Sequence, residues 1–361
     1  MKSPAHHSGK KIFSKAHIYF FSGTGNAKQT AFWIAEELYK HGTQPFVFDI
    51  STLRGKKIAP PEENSIVGFI SPTHGFHFPE ITRKFINRFP RGTGCAVMIM
   101  NTRAGLRIGK FFIPGLSGLV HYVSALRLKY KGYQILGLRP VDLPSNWLSL
   151  HPAVRDKGIK LMYTRQESKV RKFTRQVATG NKDYRAIYDM IQDFIVIPVA
   201  IAYLLIGRFA LAKTFIASHN CTKCGLCQKT CPVKAIKMIQ GRMFWTYKCE
   251  SCMACMNKCP VSAIQTAHGI LIGFFALILP FLIIQVFGLM AQIIPGSDSE
   301  SLKNPSLVFL VKTILTLPFL FLWYRIMHFL LRYRLIERIV VWTSLTSFKF
   351  WGRYKNEINP R

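Results

Sequence analysis

The stretch His17-Ile18-Tyr19-Phe20-Phe21-Ser22-Gly23-Thr24-Gly25-Asn26-Ala27 runs from an apolar, β-rich segment into a loop of small residues, and a helical pattern over 27–40 follows it. Small residues there let backbone N–H groups curl around a phosphate, and the start of the helix adds positive potential. Lys28 stands at the third glycine of a dinucleotide fingerprint, and no Gly-Lys-Ser/Thr follows, so neither that motif nor a Walker loop applies. Outward from the loop, β-rich runs at 45–50, 65–70, 96–100 and 134–138 alternate with helical stretches at 79–87, 110–129 and 154–178. Five strands with helices between them predict a parallel sheet covered on both faces over 17–180, after a basic tail at 1–16. The last helix carries Arg165, Lys169, Arg171, Lys172 and Arg175, which predicts a solvated or membrane-facing surface.

Eight of the nine cysteines crowd into 220–267. The first motif is Cys221-x2-Cys224-x2-Cys227-x3-Cys231-Pro232, and the second is Cys249-x2-Cys252-x2-Cys255-x3-Cys259-Pro260. Two-residue gaps let three thiolates wrap three corners of an iron–sulfur cube, while the fourth Cys, followed by Pro, closes the other cube. One 4Fe-4S cluster is then held by Cys221, Cys224, Cys227 and Cys259, the other by Cys249, Cys252, Cys255 and Cys231. Zinc also takes paired Cys-x2-Cys, but it has no use for a third Cys at the same spacing and a Cys-Pro in both halves. The segment resembles the bacterial dicluster ferredoxins, and Val233-Lys234-Ala235-Ile236 matches Val261-Ser262-Ala263-Ile264 as that family's internal duplication implies. Cys95, the ninth, reads as a small buried hydrophobe.

Taken with its five-strand setting, 17–178 resembles flavodoxin, a doubly wound sheet of order 2-1-3-4-5 that holds FMN. The resemblance implies an FMN phosphate on Ser22, Gly23, Thr24, Gly25, Asn26 and Ala27. It implies a ring-covering loop at Pro72, Thr73, His74, Gly75 and Phe76, and a loop at Asn101, Thr102, Arg103, Ala104 and Gly105 reaching the isoalloxazine edge. All three follow the carboxyl ends of strands beside the switch in strand order, where doubly wound sheets bind ligands. Ala27 lacks the final hydroxyl of the flavodoxin phosphate loop, and His74 replaces the usual Tyr. Flavodoxin and dicluster ferredoxin in one chain resemble a family of bacterial and archaeal fusion proteins, and Pro144-Ser145-Asn146-Trp147 looks like that family's Met-Pro-x-Asn-Tyr segment.

The 361 residues hold 49 Lys+Arg against 17 Asp+Glu, a formal net charge of +32. Charged residues are only 18% and aromatics 13%, which excludes a disordered chain. No apolar export segment is visible near the start, so the first domain is expected in the cytosol. The connector 181–219 carries 14 apolar residues at 194–207, short for a span and read as an interfacial helix. Residues 269–294 contain no charge and 305–324 only Lys312, which predicts a transmembrane hairpin over 268–330. Lys312 is expected to snorkel. The tail 331–361 is basic, while the loop 295–304 has two acids and one base, so both ends are expected on the cytoplasmic side of the inner membrane. Trp342, Phe348, Phe350 and Trp351 are expected to anchor the tail at the interface.

These features together predict a membrane-attached oxidoreductase or electron-transfer flavoprotein with FMN and two 4Fe-4S clusters. Expected partners are an acidic, ferredoxin-like soluble carrier, anionic lipid and a membrane redox subunit. The alternative is a redox-sensing or scaffold subunit that binds a partner, or nucleic acid, through its basic surface. Two spans and the lack of a nucleic-acid module disfavour nucleic acid. His268 and His328, at the ends of the two spans, are read as interfacial histidines, with haem ligation as the alternative.

Overall fold

The computed structural model describes residues 13–108, 111–154, 156–293 and 304–353. The extreme N-terminal tail, the inter-span loop at 295–303 and the tail beyond 353 lie outside the described residues. The chain divides into two compact units: the first takes the chain to Asn146 and again Val154–Ala200, the second Trp147–Ala153 and the chain from Ile201.

In the first unit the elements are β1 (Lys15–Phe20), α1 (Asn26–Lys40), β2 (Gln44–Asp49), β3 (Ser65–Pro72), α2 (Glu80–Arg88), β4 (Ala96–Ile108), β5 (Phe111–Ile113), α3 (Val120–Tyr130), β6 (Gln134–Pro144) and α4 (Asp156–Ala178). The order β2-β1-β3-β4-β6 is parallel throughout, which is the flavodoxin-like order with one short antiparallel strand, β5, added against β4. Residues 65–71 of β3 are buried without interruption, as a strand covered on both faces requires. Thr30, Ala31, Ile34 and Leu38 bury one stripe of α1. The basic helix α4 is less free than its sequence suggests. Arg171 bonds Glu36, Glu37 and Glu167, and Arg175 pairs with Glu37, so two of its cations hold α1. Cys95 is buried, its thiol directed at the Pro61 and Glu62 carbonyls.

The helix expected over 110–129 is corrected. β4 continues to Ile108, the chain turns back as β5, and only Val120–Tyr130 is helical. Phe-Phe-Ile favours a strand, Pro114-Gly115 cannot continue a helix, and Gly118 takes φ +60°. The loop expected at 101–105 is likewise strand, paired with β6 from Asn101↔Pro140 to Gly105↔Pro144.

The connector contains α5 (Met190–Ile195), α6 (Ile197–Ala202), a π-helical turn at Tyr203–Gly207 and α7 (Arg208–Ala212). Its halves Arg185–Ile195 and Ile197–Ala212 bend by 77°, in place of one interfacial helix. The second unit then pairs β7 (Phe215–Ala217) with β10 (Ile264–Thr266) and forms a hairpin of β8 (Ile236–Ile239) and β9 (Arg242–Trp245). Two short helices, α8 (Leu226–Lys229) and α9 (Ala254–Lys258), carry the third cysteine of each motif, Cys227 and Cys255.

Beyond them lie α10 (His268–Gly273), α11 (Leu279–Ile293), α12 (Pro305–Leu330) and α13 (Arg334–Trp342). Among the described residues two helices are long and apolar enough to cross a membrane: His268–Gly288, mean hydropathy 2.7, and Ser306–Leu330, mean hydropathy 2.0; the bent connector would make a third. Phe274, Leu279, Ile283 and Leu320 pack with Ala210, while Ile272, Leu277, Phe281, Ile284, Phe309 and Ile314 face outward. On α13, Leu335, Ile339 and Trp342 are exposed, and Glu337 is buried against His219 at 2.9 Å. Trp351 is corrected from an interfacial anchor to a buried residue, its indole donating to the Leu148 carbonyl at 2.8 Å.

Candidate functional site

The eight clustered thiols are all free. Cys221, Cys224 and Cys259 lie close enough to influence Cys227, Cys231 and Cys252 influence both Cys249 and Cys255, and Cys227 also reaches Cys255, so cysteines of the two motifs stand beside one another. Among the described residues no group of three or more His, Cys, Asp or Glu side chains could hold a single metal ion.

The backbone explains how such short loops wrap a centre. Lys223, Gly225 and Lys234 in the first half, and Ser251, Met253 and Ser262 in the second, all have positive φ at matched places. Six residues in this left-handed region, five of them non-glycine, keep each Cys-x2-Cys loop curled with its amides turned inward. The Ala235 amide donates to Cys231 Sγ at 3.2 Å, and the Ala263 amide to Cys259 Sγ at 3.3 Å, so the duplication extends to hydrogen bonds on sulfur. Ser251 adds an amide to Cys249 Sγ at 3.4 Å.

Burial pushes the Cys227 thiol up to about 11 and Cys252 to about 12, with neighbouring thiols adding to the shift. Cys249 and Cys255 are raised further for the same reasons. Crowded thiols of this kind ionise readily against a strongly cationic centre, and the iron of a 4Fe-4S cluster is one. The donor set fits a pair of 4Fe-4S clusters. Cys224, by contrast, is exposed, and the Leu226 amide and Thr222 hydroxyl lower it.

Trp147 lies in the second unit and was not among the expected site residues. Its indole donates to the Ser251 carbonyl at 2.7 Å, bracing the second Cys-x2-Cys loop. The two span-end histidines are committed to main chain. His268 Nε2 meets the Ser149 carbonyl and Nδ1 accepts from the Leu345 amide, while His328 Nε2 meets the Ile239 carbonyl.

In the first unit, the first two expected regions lie at the carboxyl ends of β1 and β3, and the third lies within β4, where Asn101 and Thr102 pair with Ser71 and Pro72. Gly25, at φ +108°, starts α1, and its amide donates to Ser22 Oγ at 3.0 Å. The first turn of α1 carries no acid, so its N-terminal amides keep their positive potential. Ala27 and Asn26 are buried. The Asn26 side chain is a strut: it donates to the Pro144 carbonyl and accepts from Tyr163 Oη at 2.6 Å, leaving backbone as its means of meeting a phosphate.

Beyond β3, His74 and His77 exchange backbone hydrogen bonds around Gly75 at φ +52° and Phe76 at φ +68°, a turn with two left-handed residues. His74 is buried, so Phe76, half-buried, is the ring available to cover a ligand. Burial lowers His77 to about 4, with Arg83 adding to the effect. Thr73 N donates to the Thr102 carbonyl, and Asn101 Nδ2 donates to Thr73 Oγ1 at 2.6 Å and Ser117 Oγ at 3.1 Å. Asn101 Oδ1 is buried with no hydrogen-bond partner among the described residues. An open acceptor there fits a planar ligand carrying a ring N–H, as the flavin of FMN does.

Arg103 is withdrawn from such a ligand. Its guanidinium bonds Asp142 at 2.7 Å, Ser117 and Asp189. Burial opposes its charge, but Asp142 and Asp189 outweigh that and raise it. Gly105 is packed in the strand, where an added Cβ would lie 2.9 Å from Met162 Cε. Ser117, Gly118, Asp142 and Asp193 shape the site without having stood out in the sequence. Gly118 N donates to Asp193 Oδ1 at 2.7 Å, and Leu119 N to the Phe76 carbonyl at 2.9 Å, clamping the Phe76 turn.

Residues 220–264 match the family model of the 4Fe-4S dicluster domain. Among solved structures, the rubredoxin oxygen:oxidoreductase of Desulfovibrio gigas is similar at 15% identity and TM-score 0.30, over 46% of this chain and 36% of that one. The chain thus spans about a third of that protein's length. A flavodoxin of Streptococcus pneumonia TIGR4 gives 15% identity and TM-score 0.29, over 44% and 97%. Flavodoxin 1 of Bacillus cereus gives 15% and 0.27, over 44% and 98%. Comparison with curated proteins finds no match. The chain joins a flavodoxin-like sheet to a 4Fe-4S dicluster domain.

Proposed function

We propose that this chain is a membrane-attached electron-transfer flavoprotein, passing electrons between two 4Fe-4S clusters, FMN and a redox partner at the cytoplasmic face of the inner membrane. The observation that carries the reading is the pair of Cys-x2-Cys-x2-Cys-x3-Cys-Pro segments, matched in left-handed residues and in amide bonds to sulfur, in a chain that also folds a flavodoxin-like sheet. FMN exchanges one or two electrons and each cube one, so together they convert between two-electron and one-electron carriers.

The residues divide that work. Cys221, Cys224, Cys227 and Cys259 hold one cluster, and Cys249, Cys252, Cys255 and Cys231 the other. Backbone amides of Ser22–Ala27 cradle the FMN phosphate, Phe76 covers the ring, and Asn101 Oδ1 accepts from it. The exposure of Cys224 supports the first cluster as the one a soluble carrier would reach. A recess of about 250 Å³ beside Cys221, lined by Lys223, Arg242 and Arg332, suits an acidic, ferredoxin-like carrier. The outward apolar faces of His268–Gly288 and Ser306–Leu330 support attachment to lipid, and the net charge of +32 supports anionic lipid as its surface. A membrane redox subunit is a further partner.

Anaerobic mixing of the FMN-loaded chain with a reduced acidic ferredoxin tests the reading. Cluster absorbance should bleach before the flavin, and flavin reduction should slow at least tenfold when Cys221 and Cys224 are replaced by Ala. Flavin reduction at an unchanged rate in that variant refutes the relay.

A further inference from the structure

Lys213 is a lysine sealed inside the second unit, its side chain 3% exposed. Nζ donates to the Trp245 carbonyl at 2.6 Å and stands 5.0, 4.2 and 4.6 Å from the ring centres of Phe244, Tyr247 and Tyr324. Among the described residues it makes no ion pair with a carboxylate, and the nearby charge of Arg325 has the same sign. A buried ammonium is costly without a counter-charge, and aromatic faces compensate for it only in part. The aromatic box adjoins the second motif: Tyr247, one of its walls, is two residues before Cys249, whose amide donates to the Thr246 carbonyl at 3.1 Å. Trp245, whose carbonyl holds the ammonium, packs in one core with the buried Cys255, against which Cys231 and Cys249 and also Cys221, Cys227 and Cys259 are packed. Of the other cations near the sulfurs, Arg242 bears on Cys221, and the partly exposed Arg353 bears on Cys259 of the first set and Cys255 of the second.

We infer that Lys213 is a buried cation that raises the reduction potential of the cluster held by Cys249, Cys252, Cys255 and Cys231. Reduction adds one electron and no proton to that cluster, so its charge becomes more negative by one. A cation locked nearby in a dry, aromatic box stabilises the reduced form more than the oxidised form, and the potential rises. Tyr324 belongs to the apolar helix α12 and donates to the Phe215 carbonyl at 3.1 Å, so this helix forms one wall of the box. The inference rests on the cluster occupancy proposed above.

The test is an anaerobic redox titration of the full chain in detergent, read by electron paramagnetic resonance. Lys213→Gln keeps a donor for the Trp245 carbonyl without the charge, Lys213→Met fills the box with an apolar chain, and Lys213→Arg keeps the charge. At the wild-type midpoint of the second cluster, both neutral variants should lower its reduced-to-oxidised ratio about tenfold, equivalent to 59 mV for one electron. Lys213→Arg should stay within about threefold, and the first cluster should not move. The shifting signal should be the one lost in Cys252→Ala. Neutral variants that fail to assemble only the second cluster, while Lys213→Arg assembles both, also support the inference. A wild-type midpoint in either neutral variant, or a shift confined to the Cys221 set, overturns it. A wild-type chain with no cluster signal at all would instead overturn the occupancy reading.

Discussion

Gly118→Ala should damage the flavin site from a position that touches no expected ligand. Gly118 has φ +60°, and an added Cβ would lie 2.4 Å from Phe76 Cβ and 2.9 Å from the Phe76 carbonyl oxygen. Two terms act together. An L-residue in the left-handed region costs about 1–2 kcal/mol, and forcing a methyl into a rigid turn costs about 1–3 kcal/mol. Reduced freedom of the unfolded chain returns about 0.4–1 kcal/mol. The net loss is about 3 kcal/mol, or about 6–12 °C in the unfolding midpoint of a unit this size. Gly55→Ala is the control, because Gly55 has φ +74° with nothing within 4 Å of the added Cβ. It should lose about 1 kcal/mol or less. The assay is thermal unfolding of the full chain with flavin fluorescence as the probe, followed by FMN titration at 20 °C. Displacement of Phe76 should weaken FMN about tenfold, which is 1.4 kcal/mol. Equal midpoints and equal FMN affinity for the two variants would refute the claim that the 117–119 segment clamps the ring-covering turn.

Cys259→Ala should remove the cluster of Cys221, Cys224 and Cys227, and Cys231→Ala the other; spectroscopy showing the reverse loss would refute the crossed ligation. Burial, with Arg103 beside it, lowers His121 to about 3, and burial lowers His77 to about 4. Both folded values lie below the unfolded one, so the stability they confer is full above about pH 6.5 and is lost as pH falls through the folded values. The urea midpoint of the flavodoxin-like unit should therefore drop between pH 6.5 and 4, and more gently in His121→Gln; a flat profile would contradict this. For topology, a single cysteine at Ser299 should react with an impermeant thiol reagent on intact cells, while one at the exposed Ser347 should not, in a chain lacking the other cysteines. The opposite pattern would invert the protein.

Much of this was legible in the sequence because spacing carries it. The two Cys-x2-Cys-x2-Cys-x3-Cys-Pro runs determine which thiols can meet, and the positive-φ residues found at matched places are the backbone consequence of that repeat. The strand order follows from five apolar runs alternating with helices. What escaped the sequence depends on contacts distant in the chain. In the sequence, the second strand of the β4–β5 hairpin reads as part of a helix over 110–129 and 101–105 reads as loop; pairing of β5 with β4 and of β4 with β6 decides for strand at both places. Arg103 reads as a ligand contact until Asp142 and Asp189, 39 and 86 positions away, claim its guanidinium. Trp351 carries the composition of an interfacial anchor, and only the Leu148 carbonyl it meets shows that it is core. Lys213 sits in an ordinary-looking connector, and its aromatic box is assembled from β9 and α12.

The most direct measurement is quantification of iron, acid-labile sulfide and released flavin in one anaerobic, detergent-solubilised preparation of the full chain. Two cubes and one FMN require about eight iron, about eight sulfide and about one FMN per chain. Two zinc ions with no acid-labile sulfide, or intact clusters in a chain that neither carries nor takes up FMN, would contradict the account.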